Sequence, residues 1–380
     1  MKHRLHWVAA AASALVLAAC GGGGADTTPA ASVTSVKVVG DSLADSGTFG
    51  IKFTVQGSAP TGAGSTPIWP ERVATSYGQA LCAHYVSDGS SFSANASCTN
   101  YAVGGGRINN FTGPATPVSI VQQLKDMSAA GFSAGDLLLV DGGGNDASDL
   151  IGAYLGAAQD GGASYAALLG TVLDAATVQQ LLAGGATGLA QAGGAYMQAL
   201  AVQFTTAIKT QALDKGAPRV AVLNMPGVTL TPKLRMVLAS VAQAQGAATA
   251  AQAEALFDSW VKAFNAKLAA ELAGDERVTV VDFYGSFKDQ ADHPAQYSYT
   301  NVTTPVCPVT GQDAATGLPT YSFPACTAAA LSAMTPPAGA TGGADWWKTY
   351  AFADSFHPTP YAHQLMGQLV SRSLSQAGWL

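Results

Sequence analysis

The chain has 380 residues, of which 48% are hydrophobic and 11% are charged, and its formal net charge is −6. This length and apolar content suffice for a large buried core, in one domain or in two. The acidic balance, without a Lys/Arg-rich tract, argues against nucleic acid as a partner, and the low charge argues against a disordered chain.

Residues 1–19 have the pattern of a secretory signal peptide. A basic start, MKHRLHW, precedes the apolar run VAAAASALVLAAC, which is too short for a comfortable membrane span. The segment LAAC resembles the signal of bacterial lipoproteins, in which Cys20 becomes the lipidated first residue. The alternative is an ordinary signal that is cleaved nearby. Residues 20–32 are typical of a flexible tether, and residues 33–380 form the predicted folded domain.

These features predict an exported lipoprotein of the bacterial cell envelope, held at a membrane by a lipid on Cys20. Gly21 rather than Asp follows the cysteine, which favours the outer membrane. A periplasmic, surface-exposed or secreted location remains open.

Apolar segments along the chain predict strands, and Ala-rich segments between them predict helices. The strand candidates are residues 33–39 and 98–106 and the nearly continuous runs DLLLVDGGGND, RVAVLNMPGV and RVTVVDFY. The helix candidates are residues 68–85, 118–130, 165–211 and 232–272. This alternation predicts an α/β layered fold with a parallel sheet, in which a site gathers at the carboxyl ends of the strands.

Ser42 follows the first predicted strand in the segment GDSLADSG. Ester cleavage by a serine needs a base that takes its proton and an acidic group that orients the base. His357 suits the role of base, because Asp354 precedes it by three residues. The segment HPTP then predicts a helix start, with Thr359 as N-cap and Pro360 at the first helical position. His363, inside that helix, is interpreted as structural.

The same chemistry needs hydrogen-bond donors for the oxyanion. The backbone N–H of Ser42 is one candidate, and the glycine run after Asn100 is a second, because glycine lets a backbone approach closely. The side-chain amide of Asn145 is a third. Asp41, Asp45, Ser46 and Asp146 are interpreted as residues that hold the turns.

The segments GDSLADSG, NYAVGGG, GGGND and DSFH occur in this order. Together they resemble the four sequence blocks of the GDSL (SGNH) hydrolases, a family of esterases and lipases. The resemblance implies a flavodoxin-like three-layer α/β/α sandwich with a five-stranded parallel sheet. It places the nucleophile at Ser42, the acid and base at Asp354 and His357, and the oxyanion donors at Ser42, Asn145 and Gly105. Gly104 competes with Gly105, because three consecutive glycines make the alignment ambiguous.

The family also implies hydrolysis of carboxylic esters through an acyl-enzyme, with a lipid or a small acyl ester as substrate and without a cofactor. Acyl transfer and thioester cleavage at the same site are alternatives, as is a surface lipoprotein that binds without catalysis. The intact set of Ser42, Asn145, Asp354 and His357 argues against the last. An ordinary α/β-hydrolase is not expected, because the chain has no G-x-S-x-G segment.

Four cysteines remain after Cys20, and export permits disulfides between them. The pairs nearest in sequence, Cys82–Cys98 and Cys307–Cys326, are the simplest choice. A metal site is not expected, because the cysteines lack C-x-x-C spacing and the acidic run DGGGNDASD lacks the spacing of calcium loops. Three tryptophans are open to two readings, core packing or the lining of an acyl pocket: Trp69, Trp346 and Trp347.

Overall fold

The computed structural model describes residues 32–380. The predicted signal peptide, Cys20 and all of the tether except Ser32 lie outside the described residues. Within the described range, no helix has both the length and the apolar character that crossing a membrane requires.

The described residues form helices and strands in alternation. The helices are α1 (Trp69–Ser76), α2 (Ile120–Ala130), α3 (Gly144–Asp160), α4 (Ala163–Leu169), α5 (Ala175–Ala183), α6 (Gly185–Gln211), α7 (Pro232–Gln245), α8 (Ala247–Leu272), α9 (Phe283–Asp292), α10 (Ala328–Ala333) and α11 (Pro360–Gln376). The strands are β1 (Ser35–Val39), β2 (Tyr85–Ser87), β3 (Phe92–Ala94), β4 (Asp136–Val140), β5 (Val220–Leu223), β6 (Val278–Val281), β7 (Asn301–Pro305), β8 (Val309–Gln312), β9 (Pro319–Tyr321) and β10 (Tyr350–Phe352).

The central sheet has the strand order β1-β4-β5-β6, and every neighbouring pair is parallel. Val39 lies opposite Val140, and Val140 lies opposite Val222. Because the strands are parallel and in register, their carboxyl ends open at one edge of the sheet. The prediction of an α/β fold with a parallel sheet is therefore confirmed.

The predicted fifth strand is reduced to a single parallel bridge. Val38 N–H donates to Thr99 O at 3.0 Å, and Tyr101 N–H donates to Val38 O at 2.8 Å. The chain then turns away, because Asn100 uses its side chain to bind the turn after β1: its Nδ2 donates to Ala44 O at 2.7 Å. The sheet thus has four strands, and this segment borders β1 on its outer side.

Helices cover both faces of the sheet, as a three-layer sandwich requires. The side chains of a strand alternate between the faces, so Leu138 and Val140 of β4 pack into one core and Leu137 and Leu139 into the other. The first core is closed mainly by α2, α3, α6 and α8. The second is closed mainly by α1 and α11.

Three of the predicted helical segments have different bounds in the structure, and the one over residues 165–211 is divided among α4, α5 and α6. The helix expected over residues 68–85 ends at Ser76, and the chain continues into the small antiparallel pair β2–β3. The helix expected over residues 232–272 is two helices, α7 and α8, separated at Gly246. In both places, apolar residues at helical spacing continue past the point where the backbone stops being helical.

The irregular segment before α11 has a small core of its own. Val306, Phe323 and Leu331 pack there with Trp346 and Trp347, both of which are at most 5% exposed. The disulfide Cys307–Cys326 crosses this core, and the disulfide Cys82–Cys98 ties the chain around β2 and β3. Trp69 is fully buried in the second core under the sheet. All three tryptophans therefore have packing roles.

Removal of the disulfide in the irregular segment should destabilise the protein. The Cys307→Ala/Cys326→Ala variant opens a loop with a sequence separation of 19, which the chain-entropy model values at about 3 kcal/mol. We expect a lower free energy of unfolding in urea, by about that amount. If the variant unfolds at the urea concentration of the wild type, the bond contributes nothing to the fold.

Candidate active site

Ser42 lies directly after β1, in a turn that neighbouring side chains hold. Gln123 of α2 binds Gly40 on both sides: its Oε1 accepts from Gly40 N–H at 2.8 Å, and its Nε2 donates to Gly40 O at 3.0 Å. Asp41 Oδ1 accepts from Leu43 N–H at 3.0 Å. These bonds fix the backbone on both sides of Ser42, so the Ser42 side chain extends from a rigid turn.

The structure brings Ser42, His357 and Asp354 together. His357 Nε2 lies 2.8 Å from Ser42 Oγ, although 315 positions separate the two residues. His357 Nδ1 lies 2.9 Å from Asp354 Oδ2. A hydroxyl, an imidazole and a carboxylate in this sequence of contacts can pass the hydroxyl proton to the imidazole.

Asp354 is suited to hold His357 in one orientation. Burial by itself would raise the pKa of Asp354, but its interaction with the His357 side chain and hydrogen bonds from the backbone outweigh burial and lower that pKa below its ordinary value. Asp354 Oδ1 accepts from the N–H groups of Phe356 at 2.8 Å and His357 at 2.6 Å. An ionised carboxylate only accepts, so Nδ1 of His357 donates and Nε2 is free to accept from Ser42.

The loop that carries His357 ends in a capped helix. The side chain of Thr359 accepts from Ala362 N–H, and Pro360 is the first residue of α11, so the predicted helix start is confirmed. The same loop is tied to β10, because Thr359 N–H donates to Ala351 O at 2.9 Å and Ala353 N–H donates to His357 O at 2.8 Å. His363 lies inside α11 and is fully buried.

Hydrogen bonding distinguishes Gly105 from Gly104. The N–H of Gly104 donates to Asp45 Oδ2 at 2.8 Å, so it is already used. Within residues 32–380, the N–H groups of Gly105 and Ser42 have no protein acceptor. Gly105 also has a φ of +78°, a conformation that residues with a Cβ adopt at a cost. Of the two glycines, Gly105 is the one with an N–H available to a ligand.

Asn145 lies in the first turn of α3, beside the glycine loop. Its Nδ2 donates to Gly106 O at 3.0 Å. A side-chain amide has two N–H groups, so this contact orients the amide and leaves one N–H for another acceptor. The contact also places Asn145 next to the loop that contains Gly105.

Acidic residues of α3 hold the glycine loop. Asp146 accepts from the N–H groups of Ile108 at 3.0 Å and Asn109 at 2.8 Å, and its burial raises its pKa to about 6. Asp149 binds Arg107 through two contacts, at 2.6 and 3.1 Å. Arg107 Nη1 in turn donates to Gly105 O at 2.7 Å. The acidic run after β4 therefore serves as a set of acceptors for the neighbouring loop.

Arg107 is the site residue that the sequence did not reveal. It follows the glycine run directly, but only the fold shows that Asp149 holds its guanidinium against Gly105 O. A signal was available in principle, because Asn145 and Asp149 are four residues apart and share one face of a helix. That spacing by itself does not identify a partner.

The carboxyl groups of Asp41 and Asp141 form a buried pair next to Ser42. Asp41 N–H donates to Asp141 Oδ1 at 3.1 Å, and Asp141 follows β4 as Asp41 follows β1. The two ends approach so closely that a Cβ at Gly40 would lie 1.6 Å from Asp141 Oδ1. Burial, and then the neighbouring Asp41 carboxyl, raise the pKa of Asp141 well above its ordinary value. The pair therefore retains a proton more readily than exposed carboxyl groups do.

A narrow apolar cavity opens beside these residues, at the carboxyl edge of the sheet. Its wall includes Leu43 after Ser42, Gly144 before Asn145, and Phe356 and Pro358 on either side of His357. Apolar side chains from β5, α9, β7, β10 and α11 line most of the remainder, together with five polar residues: Asp41, Asp141, Asn224, Thr231 and Gln290. A cavity of this character favours an apolar ligand group.

The family model described as GDSL-like Lipase/Acylhydrolase matches residues 36–370 of the chain. Among solved structures, the chain is similar to the crystal structure of the lipase Lip_vut3 from a goat rumen metagenome. The two share 12% sequence identity with a TM-score of 0.38, over 89% of this chain and 96% of that chain. Similarity at that level carries no argument about the site. Among curated proteins, no match to the chain was found.

The buried pair gives stability a dependence on pH. Because the pKa of Asp141 is raised in the folded state, its contribution to stability is lost as the pH rises through that pKa. Asp141→Asn keeps an oxygen that can accept from Asp41 N–H but has no proton to lose. We expect its free energy of unfolding, measured in urea at several pH values, to fall less with rising pH than that of the wild type.

Asp214→Asn is a suitable control, because Asp214 is exposed and the charge change is the same. This control should retain the pH slope of the wild type. Parallel curves for Asp141→Asn and the wild type would contradict the expectation.

Proposed function

We propose that this chain, which belongs to the GDSL-like lipase/acylhydrolase family and is an esterase or lipase, hydrolyses carboxylic esters with Ser42 as nucleophile. The observation that carries the proposal is the distance of 2.8 Å between Ser42 Oγ and His357 Nε2. In this proposal His357 is the general base, and Asp354 orients it. Ser42 N–H, Gly105 N–H and the amide of Asn145 donate to the oxyanion.

The proposed reaction has two half-reactions. Ser42 Oγ attacks the ester carbonyl carbon while His357 Nε2 takes the hydroxyl proton, and the oxyanion accepts hydrogen bonds from the three donors. The C–O bond to the alcohol breaks as His357 returns the proton to the leaving oxygen, which gives the acyl-enzyme. Water then attacks the acyl-enzyme with His357 as base, and the acid leaves as Ser42 recovers its proton.

Three features of the described residues support this assignment of roles. Asp354 is 8% exposed, and the hydrogen bonds from its own loop favour its charged form. Gly105 has a free N–H, whereas Gly104 does not. Arg107 and Asp149 hold the glycine loop from the other side. A rigid set of donors of this kind is what oxyanion stabilisation requires.

We also propose an exported, envelope-attached protein, on sequence grounds alone. The signal segment and the cysteine of LAAC lie outside the described residues, so the lipid anchor on Cys20 rests on that segment only. The two disulfides fit an oxidising compartment.

Loss of the nucleophile should abolish turnover. We expect Ser42→Ala to remove hydrolysis of p-nitrophenyl esters, because no other hydroxyl of the site lies at hydrogen-bonding distance from His357 Nε2 in the described residues. The unfolding temperature should stay close to that of the wild type. Ser91→Ala, in the exposed turn between β2 and β3, should retain full activity. Full activity in Ser42→Ala would reject the proposed nucleophile.

Removal of one oxyanion donor should slow the chemical step. We expect Asn145→Ala to lower kcat by about 10²- to 10³-fold, which is the usual effect of such a loss, with a smaller change in KM. Asn110→Ala is a matched control, because the amide of Asn110 donates to Gly113 O within its own turn. A decrease in kcat of less than about threefold in Asn145→Ala would argue against this role.

A further inference from the structure

We propose that Phe53 is a positioning residue for His357, and that position 104 is a glycine because the Phe53 ring occupies the space where a side chain would lie. The inference rests on the proposed function, because it assumes that His357 acts as the base. It gives a role to an aromatic residue outside the four sequence segments of the site, and to the glycine whose N–H is already used.

The Phe53 ring lies beside the imidazole of His357. The ring centroids are 5.2 Å apart and the ring planes are inclined by 31°, so the two rings are closer to parallel than to perpendicular. The rings of Phe323 and Phe356 lie 5.4 and 5.9 Å from the imidazole and are nearly perpendicular to it. Aromatic rings at such distances attract one another. His357 is therefore packed among three rings, and the ring of Phe53 is the nearest of them.

Hydrogen bonds by themselves leave the imidazole one freedom. His357 is bonded through its two ring nitrogens, to Asp354 and to Ser42. A tilt of the ring about the line between these nitrogens changes the two bond lengths little, whereas a packed neighbouring ring opposes it. In the acyl-enzyme, Ser42 no longer has a hydroxyl proton to donate. The bond to Asp354 and the packing of Phe53 then hold the base that activates water.

Gly104 lies against the far end of the Phe53 ring. A Cβ at Gly104 would come 2.2 Å from Phe53 Cζ and 2.3 Å from Phe53 Cε2, far inside van der Waals contact. The N–H of Gly104 donates to the buried carboxyl group of Asp45 at 2.8 Å, which holds this backbone close to the ring. A glycine at this position therefore permits the close approach of an aromatic ring.

Buried hydrogen bonds tie the segment that carries Phe53 to its surroundings. Thr54 Oγ1 donates to Pro358 O at 2.8 Å, one position after the proposed base. Gln56 N–H donates to Cys326 O at 2.9 Å, in the small core that the second disulfide crosses. Thr54 and Gln56 are both buried. A fixed backbone thus presents the Phe53 ring, although the segment has neither helix nor strand.

The first test is the effect of Phe53→Leu on kcat and on KM for p-nitrophenyl esters. Leucine stays apolar but lacks the ring atoms that extend beyond Cδ. We expect kcat to fall about tenfold or more, because a small displacement of a catalytic group is costly. Phe53 lies outside the wall of the apolar cavity, so KM should change less than kcat.

Phe132→Leu is the matched control, because Phe132 is also half-buried. It lies before β4, at the opposite edge of the sheet, where Lys37 Nζ is 4.9 Å from its ring centroid. This variant should lower the unfolding temperature about as much as Phe53→Leu and should retain kcat within about twofold of the wild type. A wild-type kcat in Phe53→Leu, or equal losses of kcat in both variants, would overturn the inference.

The second test is a double-mutant cycle between Phe53 and Gly104. Gly104→Ala keeps the N–H, but its Cβ displaces the ring, so kcat should fall about tenfold or more. Phe53→Leu removes the two ring atoms that this Cβ would meet, so the double variant should lose less than about threefold further relative to Phe53→Leu. Losses that multiply would overturn the inference.

Gly152→Ala is the control for the glycine change, because a Cβ there meets nothing within 4 Å, and it should retain the kcat of the wild type. If Phe53→Leu does not fold, Gly104→Ala decides by itself. We then expect a lower kcat with a smaller change in KM, and an unchanged kcat would overturn the inference.

The two levels of the proposal fail differently. If the wild type hydrolyses no ester and Ser42 is not labelled by a fluorophosphonate, the proposed function fails, and the positioning role fails with it. If Ser42 is labelled and esters turn over, but Phe53→Leu and Gly104→Ala leave kcat unchanged, only the positioning role of Phe53 fails.

Discussion

The hydrogen bond between Ser42 and His357 is the contact on which the site depends, and it exists only because the two ends of the chain meet at one edge of the sheet. Ser42 follows β1, whereas His357 comes 315 positions later, in the loop before α11. Every strand of the central sheet is parallel to its neighbours, so the turns after β1 and β4 open on the same side. His357 follows β10, which pairs with β7 outside that sheet and is joined to the start of α11. Parallel order thus gathers distant polar residues at one place.

Buried carboxyl groups give that edge its rigidity. Asp41, Asp45 and Asp146 each accept hydrogen bonds from backbone N–H groups of the turns around the site. Burial raises the pKa of each carboxyl group, because the charged form loses its contact with water and is therefore less stable in these turns. The backbone donors offset part of that cost. The result is a set of loops that neighbouring side chains hold at both ends, which suits a site that must present fixed donors.

The sequence predicted several of the contacts at the candidate site, because they form within short segments. Asp354 and His357 are three positions apart, so one turn of loop suffices to join them, and Thr359 caps the next helix as the pattern indicated. Arg107 was missed because its partners, Gly105 O and Asp149, become neighbours only in the fold. The helix predicted over residues 68–85 was too long, because the spacing of apolar residues does not show where tertiary contacts end a helix.

The sequence by itself determined the order along the chain of the four strands in the central sheet, the four polar segments that resemble the family's blocks, and the pairing of cysteines close in sequence. These depend on local preference and short spacing, which a linear pattern records. Tertiary structure alone decided which glycine N–H is free, because Asp45 occupies that of Gly104. It also reduced the fifth strand to one bridge and formed the apolar cavity. Each of these depends on contacts between residues far apart in the chain, and a single sequence does not encode their geometry in any local pattern.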